Sequence, residues 1–161
     1  MASASIATQV SLKTILFATD FSDASEKALP FTASLARKHQ SKVLIAHVLP
    51  EPQPAITRPG ISERDERIRA EASARLQEFA DSALFRSLPH EELLLEGSCW
   101  TALEQIIEEK GIDLIVLGTH GRTGLAHVLM GSVAERVVQK AACPVLTIRH
   151  PSRKFKHPLD K

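Results

Sequence analysis

The sequence predicts an open α/β domain built on a parallel sheet, and three observations carry that reading. Five short apolar runs recur along the chain, helical patterns fill the gaps between them, and one gap holds a glycine-bearing loop. Runs that are apolar throughout, rather than alternating, suit strands buried on both faces under layers of helices. Strict alternation of strand and helix then argues for right-handed crossovers within one sheet. The 161 residues suit one domain. A chain of that size buries roughly two-thirds of its unfolded surface, so it needs neither disulfides nor a structural metal to fold.

The first strand is predicted at Thr14-Ile-Leu-Phe-Ala-Thr19. A helix follows, capped by Ser22 or Asp23, with Glu26 three residues beyond Asp23 as a capping-box partner. Its apolar side is read as Ala28, Phe31, Leu35 and Ala36, and Pro30 is expected to kink it. The second strand is Lys42 to Val48. Pro50 to Gly60 then holds four prolines and a glycine in eleven residues, the composition of a surface loop. The helix after Ser62 is the most periodic segment, with Ile68, Ala72, Leu76, Phe79 and Ala83 along one face. A weaker third strand is read at Glu92–Glu96. The third helix runs from about Trp100 to Lys110, with Ser98 as cap, Leu103, Ile106 and Ile107 inward, and Gly111 as stop. Ile112–Leu117 is the fourth strand, Ser132 opens the fourth helix with Val133, Ala134, Val137 and Val138, and Pro144–Ile148 is the fifth strand. The expected organisation is a flexible N-terminus at 1–11, a single domain at 12–149 and a basic tail at 150–161.

Composition narrows the function. A net charge of +1 gives no global field to steer nucleic acid or an anionic membrane. Six Phe, one Trp and no Tyr are few for stacking single-stranded nucleic acid. No apolar run reaches the roughly 18–20 residues of a membrane span, and the N-terminus lacks the regions of a secretory signal. Cys99 and Cys143 have no metal-site spacing and are read as free, packed thiols in a reducing compartment. The seven histidines show no pairing suited to zinc. The expected location is the cytoplasm, with neither nucleic acid nor membrane as partner.

The long loop is the main functional signal. It runs Gly118-Thr-His-Gly121-Arg-Thr-Gly124-Leu-Ala-His-Val-Leu-Met-Gly131-Ser132, between a strand and a helix start. Strand-to-helix loops in α/β proteins usually span about 2–6 residues. Unpaired N–H groups at a helix N-terminus, with the helix dipole, favour an anion, and glycine lets the backbone approach it closely. Ligands in open α/β sheets bind at the carboxyl ends of strands, where strand order reverses. Asp20, after the first strand, has two readings: a charge in the helix start, or an acceptor for the two hydroxyls of a ribose beside the glycine loop. Met130 is read as pocket wall, and Trp100 and Cys99 as packing residues.

These motifs resemble those of the universal stress protein family. Its ATP-binding members carry Gly-x2-Gly-x9-Gly-Ser/Thr after the fourth strand, and this chain has Gly118-x2-Gly121-x9-Gly131-Ser132. Ile15–Ser22, His47-Val48, Gly97, Asp113–Gly124 and Pro144-Val-Leu extend the likeness over roughly 11–149. The resemblance implies a Rossmann-like, adenine nucleotide alpha hydrolase-like fold: an open parallel five-stranded sheet of order 3-2-1-4-5, with helices on both faces. By residue-for-residue transfer, Asp20 holds the ribose with help from Gly118, while Thr19 and the backbone of Val48 border the adenine. Gly121, Arg122, Gly131, Ser132 and Val133 cradle the phosphates. The ligand implied is ATP with Mg²⁺ held mainly by the phosphates, and the assembly implied is a homodimer, often through the fifth strand. Phe21 departs from the family, which often has glycine or a small residue there.

The resulting expectation is an ATP-binding, nucleotide-dependent regulatory module acting as a homodimer, with an unknown protein client. The alternatives are a slow ATP-hydrolysing enzyme and a nucleotide-free dimeric scaffold. Phosphoryl transfer needs charge neutralisation and a group to orient water. The loop has no Walker Gly-Lys-Ser/Thr, and no lysine occurs from residue 111 to 139. No catalytic residue and no protein metal ligand is therefore assigned.

Overall fold

A computed structural model describes residues 10–51, 63–119 and 130–149. Most of the expected N-terminal segment, most of the proline loop, the basic tail, and Gly121 and Arg122 lie outside the described residues. The elements alternate as expected: β1 (Thr14–Ala18), α1 (Asp23–His39), β2 (Lys42–Leu49), α2 (Glu63–Ala80), β3 (His90–Glu96), α3 (Cys99–Lys110), β4 (Leu114–Gly118), α4 (Ser132–Lys140) and β5 (Val145–Ile148). All strand pairs are parallel, in the order β3-β2-β1-β4-β5. Phe17 registers with Ile45 on one side and Val116 on the other, so β1 lies at the centre of the sheet.

The continuous apolar runs reflect two buried faces. Ile15, Phe17, Val43, Ile45, Leu114 and Val116 pack with α1 and α2. Leu16, Leu44, Ala46, Ile115 and Leu117 pack with α3 and α4. Alternate residues of one strand thus feed opposite cores, as the strand period of two requires.

Helix ends follow local chemistry. Ser22 is the N-cap of α1, its side chain accepting from the Ser25 N–H, and Asp23 is the first helical residue. Gln40 closes α1 in the left-handed conformation with its N–H on the Ala36 carbonyl. Gly111 closes α3 at φ 60. The Asp113 carboxylate accepts from the Lys13 and Thr14 N–H groups at 2.7 and 2.9 Å, tying the entry to β4 onto the start of β1.

Some packing differs from the sequence reading. Phe31 is 53 % exposed, and α1 instead buries Ala24, Ser25, Ala28, Thr32, Ala33 and Ala36. Small side chains let this helix approach the sheet closely, and Phe31 falls outside that stripe. Helix α1 continues through Pro30 as one element; Glu26 and Pro30 are both exposed, so the carbonyl left without a helical donor is on the solvent side. Ile68 is 39 % exposed, and Ala83 lies beyond the end of α2. Val133 and Val138 are 38 % and 47 % exposed, whereas Ala134 and Val137 are buried.

Candidate functional site

The sheet order reverses between β1 and β4, and the cleft opens where their carboxyl ends diverge. A cavity of about 220 Å³ lies there, lined by β1 and its turn (Ala18, Thr19, Asp20), by β2 (Ala46, His47, Val48) and by the end of β4 (Leu117, Gly118, Thr119). The starts of α3 (Cys99, Leu103) and α4 (Gly131 to Ala134) complete it. Seven of the nine sequence-predicted site residues line this one cavity: Thr19, Asp20, Val48, Gly118, Gly131, Ser132 and Val133. The other two, Gly121 and Arg122, lie outside the described residues.

A network of short polar side chains shapes the β1–α1 turn. Thr19 continues the β1–β2 ladder by donating its N–H to the Ala46 carbonyl at 2.9 Å. The Thr19 hydroxyl bonds to Ser25 Oγ at 2.9 Å and accepts the Phe21 N–H at 3.0 Å. Asp20 Oδ1 accepts both the N–H and the hydroxyl of Ser22, at 3.0 and 2.5 Å. This Asx turn makes Asp20 part of the helix entry, as the first reading of Asp20 expects, and the same residue lines the cleft.

His47 is buried, and its Nδ1 lies 2.7 Å from the Thr19 carbonyl. A carbonyl only accepts, so Nδ1 carries the proton of that bond. The sequence marks His47 only as the end of a strand; its role as a brace for Thr19 depends on the register of β2 beside β1. Phe21, the family departure, lies at φ 61, in the left-handed region that favours glycine. It is buried on the α2 side of the sheet, outside the cavity lining.

The α4 side offers backbone. Gly131 is the N-cap of α4 and, lacking a side chain, leaves the first-turn N–H groups without a side-chain cap. Its own N–H donates to the Thr119 carbonyl at 2.6 Å, and the Thr119 N–H donates to the Ile148 carbonyl at 2.9 Å. The two ends of the long loop are thereby joined and fastened to β5. Ser132 is exposed at the start of the helix. Gly118 has a packing reason of its own: a Cβ there would lie 2.8 Å from the Ala24 carbonyl carbon and 2.9 Å from the Ser25 nitrogen.

Cys99, read as a packing residue, is half-buried in the cavity wall. Burial, and secondarily the Asp20 charge, raises its thiol above the ordinary range. Trp100 is buried among the α3 residues as expected. Met130 packs against the α3/α4 core and is not part of the cavity lining. Among the described residues no group of three or more His, Cys, Asp or Glu is placed to hold a metal ion. No helix among them is long and apolar enough to cross a membrane.

Residues 11–149 match the model of the universal stress protein family. The chain belongs to that family. It is 34 % identical over 147 residues to universal stress protein MJ0531 of Methanocaldococcus jannaschii, covering 88 % of this chain and 84 % of that protein. Its fold is similar to the solved structure of protein MJ0577 from the same organism, with a TM-score of 0.77, 27 % identity, and coverage of 91 % of this chain and all of the other. It is also similar to the family's Archaeoglobus fulgidus protein solved in complex with dAMP: TM-score 0.61, 26 % identity, coverage 87 % and 99 %.

Proposed function

We propose that the cleft binds an adenine nucleotide, ATP carried with Mg²⁺, and that the protein works as a homodimeric, nucleotide-dependent regulatory module of the cytoplasm. The observation that supports this best is the meeting of Asp20, Val48 and the Gly131–Val133 helix start in one cavity. Each supplies what one part of the ligand needs. The apolar side of Val48 and the backbone of β1 and β2 border a base, the Asp20 carboxylate accepts from ribose hydroxyls, and the open N–H groups of α4 accept phosphate charge. Gly121 and Arg122 join the phosphate seat in this reading. Mg²⁺ is held by the phosphates in this reading.

Regulation rather than turnover is the reading we favour. Among the described lining residues the one imidazole is bonded to the Thr19 carbonyl and Asp20 is bonded to Ser22, which engages the two groups best suited to orient a water. Nucleotide would then act by binding two states of the dimer or of a client complex unequally.

Calorimetric titration of nucleotide-stripped protein with Mg·ATP tests the reading. Saturable binding should be abolished by the double variant Gly131→Val, Ser132→Val, whose side chains fill the phosphate seat. Undiminished affinity in that variant, folded by circular dichroism, would refute the assignment. Turnover should stay far below the ordinary enzymatic range of about 1–10³ per second.

A further inference from the structure

Phe21 stands between Asp20 and Ser22, the pair whose hydrogen bonds form the acidic end of the cleft. Its φ of 61 is one that bulky L residues rarely adopt, so surrounding contacts must hold it. The His47 ring lies 4.3 Å from its ring centroid, and Phe79 of α2 meets it edge-on at 5.4 Å. The Arg75 guanidinium carbon lies 4.5 Å from the same centroid.

Arg75 makes a second contact of a different kind: its Nη2 donates to the Phe21 carbonyl at 3.2 Å. That carbonyl and the Ser22 N–H belong to one planar peptide unit and point in opposite directions. The Ser22 N–H is the group that donates to Asp20 Oδ1 at 3.0 Å. A cationic donor on one edge of this peptide therefore orients, and polarises, the donor on its other edge.

We propose that Arg75, from α2 and outside the cavity lining, is a positioning residue for the cleft. It fixes the 21–22 peptide plane and so sets the Asp20 carboxylate toward the ribose of a bound nucleotide. This rests on the nucleotide reading of Asp20. Because binding couplings are reciprocal, nucleotide held by Asp20 also tightens the clasp of α2 on the turn.

The test uses full-length protein carrying Arg75→Met, which keeps the stem but removes charge and donors, and Arg75→Lys, which keeps a cation and a donor. Each is titrated with Mg·ATP and with inorganic triphosphate, which has no ribose. Arg75→Met should weaken Mg·ATP about five- to tenfold, the net scale of one ordinary hydrogen bond, and triphosphate by less than about twofold. Arg75→Lys should recover most of the loss. Equal losses for both ligands, or a loss Lys does not recover, would overturn the proposal.

Amide hydrogen exchange of the unliganded proteins provides an arm independent of nucleotide. The Ser22 amide should exchange faster in Arg75→Met than in the wild type, and unchanged exchange would overturn the positioning role. Faster exchange in a protein that binds no nucleotide would uphold the clasp on the turn and overturn its part in ribose recognition.

Discussion

At Gly118 there is no room for a methyl group. The family resemblance gives this glycine a place beside the ribose, yet the backbone and side chain of Ala24, together with Ser25, already fill the space where a Cβ would stand. Gly118→Ala should therefore lower stability by about 1–3 kcal/mol, the usual cost of overpacking, read as a lower denaturant midpoint at unchanged slope. An unaltered midpoint would mean that α1 shifts freely. Asp20 is tested differently. Asp20→Asn keeps the size and one acceptor but loses the charge, so Mg·ATP affinity should fall more than affinity for inorganic triphosphate. Equal falls would show that Asp20 does not read the ribose. The thiols give a pH signature. Burial raises both Cys99 and Cys143, with the charges of Asp20 and Asp113 as the secondary causes. A group raised in the folded state stabilises below its unfolded pKa and loses that contribution as pH climbs through the folded value. Stability should thus decline on the alkaline side of the ordinary thiol range, and a Cys99→Ala, Cys143→Ala variant should decline less in urea melts across that window.

Among the elements, those with the clearest periodicity or end signals were the most legible. All nine appear in the expected order, α3 stops at its glycine, and α4 starts at Ser132. Seven of the expected residues line one cavity, because motif spacing, the rule of strand carboxyl ends and the family resemblance all pointed to the ends of β1 and β4. The inward face of α1 was not legible. Hydropathy favours Phe31 over Thr32, but the space between helix and sheet admits only small side chains, and that distance is a tertiary property. Cys99 and His47 entered the site for a similar reason: one needs the placement of α3 and the other the β1–β2 register. Asp113 shows a polar residue tying elements nearly a hundred positions apart. Asp113→Ala leaves the Lys13 and Thr14 N–H groups without their carboxylate and should cost about 1–3 kcal/mol, measured by chemical denaturation. A change near zero would show that water replaces the carboxylate without penalty.

For the molecule as a whole, sheet order decides where function can sit. With β1 and β4 adjacent and their crossovers on opposite faces, the sheet opens at the carboxyl ends of these two strands. The same order leaves β5 at an edge, half-buried along its length, with exposed Val138 on the α4 that packs beside it. An edge strand flanked by an apolar side chain suits a second copy, in line with the proposed homodimer. Sedimentation equilibrium should find a dimer, and Val138→Lys should raise its dissociation constant at least about tenfold, the cost of setting a charge in an apolar contact. A dimer indifferent to that change would place the interface elsewhere.

The hydrogen bond from Gly131 to Thr119 has a consequence for engineering. It makes the loop's two anchor points neighbours, whatever length of chain runs between them. Closing a longer segment across fixed ends costs little, about 0.6 kcal/mol for each doubling. A peptide tag or small reporter grafted between 124 and 129, past Gly121 and Arg122, should leave the sheet intact, turning this loop into a port through which events at the cleft are read out as light.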